Sequence, residues 1–457
     1  MQTIRKFSFV IVLALVSQFF VGDLSAQSRS DRPNIVVIMV DDLGYGDLSS
    51  YGATDLKSPH IDKLMSDGIR LNNFYANCPV CSPTRASLLS GRFPEMVGVP
   101  GVIRTFAKDN WGYLNPKTKL LPEMLNKTGY NTGMVGKWHL GLEKENHPLN
   151  KGFDYFKGFL GDMMDNYYTH RRHGKNYMRD QMESFRPKGH ATDLFSNWAV
   201  DYINECRKEE APFFLYLAYN APHTPIQPPR AWYIRVRERE KEISDDRIKL
   251  VALIEHMDYG IGKVTKALKD NGQYDNTLII FTSDNGGQIN VGANCGDLRG
   301  GKQDMFEGGI KVPMCAVWPK KIKPNSTSSL VSMTMDLYPT ICEIAGYPIQ
   351  HKIDGMSILD TLTNNADQTQ IERTLFWVRR EGNSRYQGQD HYAVRKGPWK
   401  LVHNNPYTEL ELYNLDEDPQ EKNNLAGENK KIFNELAGEL RQQIQKAGAV
   451  PWQKSLE

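Results

Sequence analysis

Residues 35–40, Ile-Val-Val-Ile-Met-Val, are six apolar side chains in succession. Side chains on a strand alternate between its two faces, so an unbroken apolar run is buried on both. Such a strand belongs inside a sheet that has helices on each side. The run stops at Asp41-Asp42. Three further runs behave alike. Thr132 to Val135 leads into Gly136-Lys137-Trp138-His139, Phe213 to Ala218 into Ala221-Pro222-His223, and Leu278 to Thr282 into Asp284-Asn285-Gly286-Gly287. Amphipathic helical stretches separate them, at 121–128, 191–207 and 247–271. This alternation predicts an α/β fold with a mostly parallel sheet flanked by helices.

Ligands of open parallel sheets bind beyond the carboxyl ends of the strands. Asp41, Asp42, Lys137, His139, His223, Asp284 and Asn285 are therefore expected to converge. Asp41, Asp42, Asp284 and Asn285 offer hard oxygen donors, which suit Ca²⁺ or Mg²⁺ rather than Zn²⁺. Either pair alone reads equally well as turn or cap residues. Two pairs at matching strand ends favour a metal.

Cys81-Ser82-Pro83-Thr84-Arg85 supplies a second focus. Ser82 suits an N-cap, Pro83 the first turn of a helix, and Gly91 its end. Cys81 then lies at a helix N-terminus, which favours an anion, with Arg85 one turn further on the same face. Taken alone, the five residues equally suit a buried structural cysteine.

The chain opens with Arg5-Lys6, an apolar stretch from Phe7 to Val21 and small residues ending at Ala26. That is the pattern of a cleaved export leader over residues 1–26. The apolar stretch is too short and interrupted to act as a membrane anchor, and no lipid anchor is indicated. Periplasmic or secreted localisation follows. A net charge of +2 gives no reason to expect nucleic acid as a partner. Six cysteines, Cys78, Cys81, Cys206, Cys295, Cys315 and Cys342, become an odd number if Cys81 is set aside, so disulfides do not frame the fold. The last quarter reads as short strands at 374–378, 392–395, 399–403 and 411–414 and a helix at 432–447. This predicts a small antiparallel α+β domain over 367–457, after a larger domain over 27–366.

C-x-P-x-R, continuing to Leu88-Leu89-Ser90-Gly91-Arg92, resembles the signature of the formylglycine-dependent (type I) sulfatases of the alkaline-phosphatase superfamily. Four further segments resemble motifs of that family in the same order. They are Asp41-Asp42-Leu43-Gly44-Tyr45-Gly46-Asp47, Gly136-Lys137-Trp138-His139-Leu140-Gly141, Ser283-Asp284-Asn285-Gly286-Gly287, and Arg299-Gly300-Gly301-Lys302 with Glu307-Gly308-Gly309. The tail Glu411-Leu412-Tyr413-Asn414-Leu415, with Asp418-Pro419, resembles the family's C-terminal domain.

The resemblance implies an alkaline-phosphatase-like fold. It implies that Cys81 is converted to formylglycine by a maturation enzyme and that the hydrate attacks sulfur. It also implies that one Ca²⁺ is held by Asp41, Asp42, Asp284, Asn285 and residue 81. Arg85, Lys137, His223 and Lys302 would spread the transition-state charge. His223 or Lys302 would protonate the leaving alcohol, and His139 would take the proton that lets sulfate depart.

A sulfated carbohydrate, cut at a chain end, is the expected substrate. Arg104 and Trp111, the cluster Arg171, Arg172 and His173 with Lys175, and Arg379-Arg380 are the expected contacts for it. The rivals are an arylsulfatase, a phosphomonoester or phosphonate hydrolase of the same superfamily, and an inactive glycan-binding protein.

Overall fold

Strand Asn34–Val40 lies between Thr277–Ser283 on one side and Phe213–Ala218 on the other, parallel to both. Asn131–Lys137 and then Tyr155–Phe159 extend the parallel set. These five strands are the centre of a ten-stranded sheet whose flanks turn antiparallel, with Met314–Val317 beside Thr277–Ser283 and Met178–Asp180 beside Tyr155–Phe159. This is a computed structural model, and it describes residues 32–106, 109–364, 372–382 and 388–451. The export leader over 1–26 and the domain boundary at 366/367 lie outside the described residues. No helix among the described residues is long and apolar enough to cross a membrane.

The run at 35–40 divides between two cores. Ile35, Val37 and Met39 pack into one, with Leu88, Leu125 and Leu337. Val36, Ile38 and Val40 pack into the other, with Ile203, Leu253 and Ile261. All six are fully buried, and burying a side chain of this size contributes about 1.5–3 kcal/mol. Helices Ala191–Cys206 and Asp245–Asp270 supply the second core. Tyr155–Phe159 carries no apolar run to signal a strand, because Lys157 and Gly158 interrupt it. Gly158 pairs with Gly136, and a Cβ on Gly158 would fall 2.0 Å from the Gly136 carbonyl oxygen. Glycine is required for that approach.

The C-terminal domain is an antiparallel sheet of Thr374–Arg380, Asp390–Lys396, Trp399–His403 and Glu411–Asn414, with helix Lys430–Gly448. One face, with Val378, Val394, Leu401 and Leu412, packs on Leu436 and Leu440 of the helix. The other, with Leu375, Trp377, Ala393 and Val402, packs on Tyr75, Phe93 and Met305 of the large domain. Trp377 Nε1 donates to the Ala76 carbonyl at 2.8 Å.

A buried polar link crosses the same contact. Lys400 Nζ lies 2.8 Å from both Glu307 Oε1 and Glu421 Oε1, and Tyr75 donates to Glu307 Oε2 at 2.6 Å. Burial opposes ionisation of Glu307, but Lys400, Lys311 and Arg395 outweigh it and hold the carboxyl below its usual range. Burial, with the like charge of Glu307, pushes Glu421 up. Lys400 thus keeps two buried carboxyl groups compatible. Lys400→Met should cost about 3–5 kcal/mol, the effect of stranding a buried charge. The urea midpoint would read that loss, and an unchanged midpoint would mean that this link does not hold the domains together.

Candidate active site

Register brings the acidic residues together. Val40 pairs with Ser283, so Asp41-Asp42 and Asp284-Asn285 leave adjacent strands side by side. Asp42 adopts φ 69°, and its N–H donates to Asp284 Oδ1 at 3.2 Å. Lys137 ends its strand, and His223 follows the end of Phe213–Ala218. Helix Cys81–Ser90 starts two residues earlier than a Ser82 cap requires. Val80 is its N-cap, and Ser82 Oγ instead accepts the Ile103 N–H at 3.0 Å. Gly91 ends the helix at φ 66°, in the left-handed region.

Three buried carboxylates meet three cations. Lys137 Nζ donates to Asp41 Oδ2 at 2.5 Å. Arg85 donates from Nε and Nη2 to Asp284 Oδ2 at 3.0 and 2.7 Å, and its Nη2 is 3.7 Å from Asp41. Lys302 Nζ donates to Asp42 Oδ2 at 2.6 Å, and His223 Nε2 lies 3.6 Å from the same oxygen. Burial resists charge on Asp41, but Lys137, His223, Arg85 and Lys302 together hold it well below its usual range. Burial and the neighbouring Asp41 push Asp284 up. The carboxylates crowd one another despite their partners.

The two histidines have definite roles in hydrogen bonding. His139 Nε2 lies 2.9 Å from the Ile103 carbonyl, so that nitrogen carries the proton. Its Nδ1 is buried without a hydrogen-bond partner. Burial, then Lys137 and Arg85, lower its pKa strongly, so the ring is neutral with a lone pair at Nδ1. His223 Nδ1 donates to the Thr224 carbonyl at 2.7 Å, which turns Nε2 toward Asp42. Burial pushes the Cys81 thiol up to about 11.

Donor chemistry at this cluster fits a hard divalent cation. Carboxylate oxygens of Asp41, Asp42 and Asp284 lie within 4.8 Å of one another, as do ligand atoms of Asp41, Cys81 and His223. Asp41 Oδ1 and Asn285 Oδ1 are both buried without a hydrogen-bond partner. Asn285 turns its Nδ2 to Asp42 Oδ1 at 2.8 Å, leaving the amide oxygen for another partner.

A cavity opens onto Cys81, His139, His223 and Lys302. Of the positions expected to contact substrate, Arg104 and Arg172 line it. The others are engaged elsewhere. Arg171 is exposed and donates to the Gly174 carbonyl at 3.1 Å, and His173 stacks on Phe106 at 4.3 Å. Arg379 is buried and donates to the Gln303 carbonyl at 2.8 Å. Arg380 bonds the Tyr392 hydroxyl at 3.2 Å, and the Trp111 indole fills the space that a side chain on Gly382 would take. The free basic surface expected there is thus largely spent on internal bonds. Asp162, Glu381, Gln288 and Gln303, which lie outside the sequence motifs, also line the cavity. Asp162 follows the carboxyl end of Tyr155–Phe159, so its signal is the strand-end rule applied to a strand that has no apolar run. Glu381 had no signal beyond its place next to Arg379-Arg380. All six cysteines are free thiols, and Cys78 Sγ contacts the Val378 carbonyl rather than a second sulfur.

Residues 33–347 match the family described as Sulfatase, and residues 301–449 match the family described as N-sulphoglucosamine sulphohydrolase, C-terminal. The chain is 31% identical to the Uncharacterized sulfatase YdeN of Escherichia coli K12, over 91% of this chain and 86% of that one. It is 32% identical to the N-acetylgalactosamine-6-sulfatase of Mus musculus, over 82% of this chain and 73% of that one. The crystal structure of Ps i-CgsB in complex with k-i-k-neocarrahexaose superposes with a TM-score of 0.84 at 30% identity, covering 93% of this chain and 95% of that one. The chain belongs to the sulfatase family of sulfuric ester hydrolases, on the alkaline-phosphatase-like fold.

Proposed function

We propose that this hydrolase releases sulfate from a terminal sugar of a sulfated carbohydrate, with residue 81 acting as formylglycine. The observation that carries this reading is the setting of Cys81. It is buried at a helix start beside Lys137 and Lys302, yet its thiol stays protonated at neutral pH. A thiol in that state is a poor nucleophile. Its conversion by a maturation enzyme would supply, as a hydrate, one hydroxyl to attack sulfur and a second from which sulfate can be expelled. A carbohydrate substrate is supported by the names of the relatives, an N-acetylgalactosamine-6-sulfatase and a protein crystallised with a neocarrahexaose. The cavity, walled on one side by Glu381 of the small domain, supports action at a chain end. The leader at 1–26 supports export, and division at 366/367 supports a small domain that serves the cavity of the larger one.

The roles we assign follow from charge and proton position. Arg85, Lys137 and Lys302 offset the negative charge that gathers on the sulfate oxygens. One Ca²⁺ held by Asp41, Asp42, Asp284, Asn285 and residue 81 would add a further positive charge there. Lys302 keeps its proton, because Asp42, Cys81 and Asp41 together outweigh the burial that would remove it. Of the two candidates, Lys302 is assigned to protonation of the leaving oxygen, because the His223 proton sits on Nδ1 toward Thr224 and burial disfavours a second one at Nε2. His139 holds a lone pair at Nδ1 and is assigned to take the proton whose loss frees sulfate.

A panel of defined sugar sulfates and aryl sulfates, assayed for released sulfate, tests the substrate reading. Protein made in a host with a maturation enzyme should turn over sugar sulfates, and Cys81→Ala should abolish release. An aryl sulfate cleaved far better than every sugar would contradict the carbohydrate reading.

The proton donor can be tested by leaving group. Lys302→Ala should lower kcat on a sugar sulfate by roughly 10²–10⁴, the usual worth of general acid catalysis. An aryl sulfate with an acidic phenol should lose much less, because its phenolate departs unaided. Equal losses on both would place Lys302 in sulfate binding alone.

A further inference from the structure

The outer wall of the cavity is built from opposed charges. Arg104 Nη2 lies 2.9 Å from Glu381 Oε2, and Arg379 Nε lies 3.4 Å from Glu381 Oε1. Across from the small domain, Arg172 Nε lies 2.9 Å from Asp162 Oδ1, and its Nη1 lies 2.9 Å from Asp165 Oδ1. Glu381 is 2% exposed and Asp162 6%, so both carboxylates are held in the wall. Among the described residues that line this wall, two arginines, Arg104 and Arg172, are set against two carboxylates, Glu381 and Asp162, with Arg379 and Asp165 bonded behind them.

A paired arginine and carboxylate still have capacity to spare. The guanidinium has five N–H donors, and a carboxylate has about four acceptor positions. Such a pair can donate to one hydroxyl oxygen and accept from the next without losing its own contact. It suits neighbouring hydroxyls on a sugar ring. A second anion on that ring would instead meet Asp162 or Glu381 at close range. Like charges placed together across an interface cost several kcal/mol, which is why they exclude partners so effectively.

We propose that the Arg104–Glu381 and Arg172–Asp162 pairs read the hydroxyls of the ring that carries the scissile sulfate, and reject a ring bearing a second anionic group. The proposal rests on the carbohydrate reading above and narrows it to monosulfated, otherwise uncharged rings. It concerns only the ring within the cavity. Neighbouring sugars of an oligosaccharide can be sulfated without meeting these carboxylates.

Matched substrates test it. Monosulfates of galactose, N-acetylgalactosamine and N-acetylglucosamine are compared with the same rings carrying one further sulfate. For the ring that is cleaved, kcat/KM should favour the monosulfate by at least about tenfold, equivalent to about 1.4 kcal/mol. Asp162→Asn and Glu381→Gln, on separate domains, should each shrink that preference by about tenfold, because an arginine is released toward the second sulfate. A residue that merely held the fold would lower both substrates alike and leave their ratio unchanged. A wild-type enzyme that prefers the disulfated ring, or a ratio unmoved by both variants, would overturn the proposal alone. Turnover of an aryl sulfate with no sugar sulfate cleaved would overturn the carbohydrate reading and this proposal with it.

Discussion

Asp41, Asp42 and Asp284 are carboxylates withdrawn from water at the ends of two neighbouring strands. Three unpaired charges at that depth would cost several kcal/mol each. Arg85, Lys137 and Lys302 are the compensation, and each comes from a different element: the signature helix, a parallel strand and a glycine-rich loop. Once these partners are required, much of the architecture follows. The parallel register sets the acids side by side, and the helix must start at Cys81 to bring Arg85 within reach. The segment carrying Lys302 must be pinned, and Arg379 and Lys400 of the small domain grip it at Gln303 and Glu307.

The small domain is therefore part of the site. It covers Tyr75 and Met305 with an apolar face, bonds the loop behind Lys302 and places Glu381 in the cavity wall. Its polar contacts also explain why residues that read as substrate-binding in the sequence have other duties. Arg379 and Arg380 are bound to Gln303, Glu381 and Tyr392.

The central sheet was legible because six apolar residues at 35–40 admit few alternatives, and because the strand-end rule acts on backbone geometry alone. Asp41, Lys137, His223 and Asp284 were found that way. Tyr155–Phe159 was not, since its strand character depends on pairing Gly158 with Gly136, which no local pattern encodes. Asp162 was lost with it. The Ser82 cap failed for a related reason: a serine that could cap its own helix instead accepts from Ile103, a distant residue. Surface charge was least legible. Arginines 172 and 379 look like a cationic patch until the carboxylates that neutralise them are known in space. Position along a strand survives folding as information, whereas the partner of a charged side chain is decided by the tertiary structure.

The central claim is that these carboxylates, with the partnerless oxygens of Asp41 and Asn285, form a site for one hard divalent cation. Calorimetric titration of chelator-stripped protein with Ca²⁺ tests it without recourse to activity. The account predicts saturation at one ion per chain in the wild type, and binding weakened at least about tenfold, or about 1.4 kcal/mol, in Asn285→Ala. A stripped protein that binds no divalent ion, yet keeps its stability and its sulfate release, would contradict it.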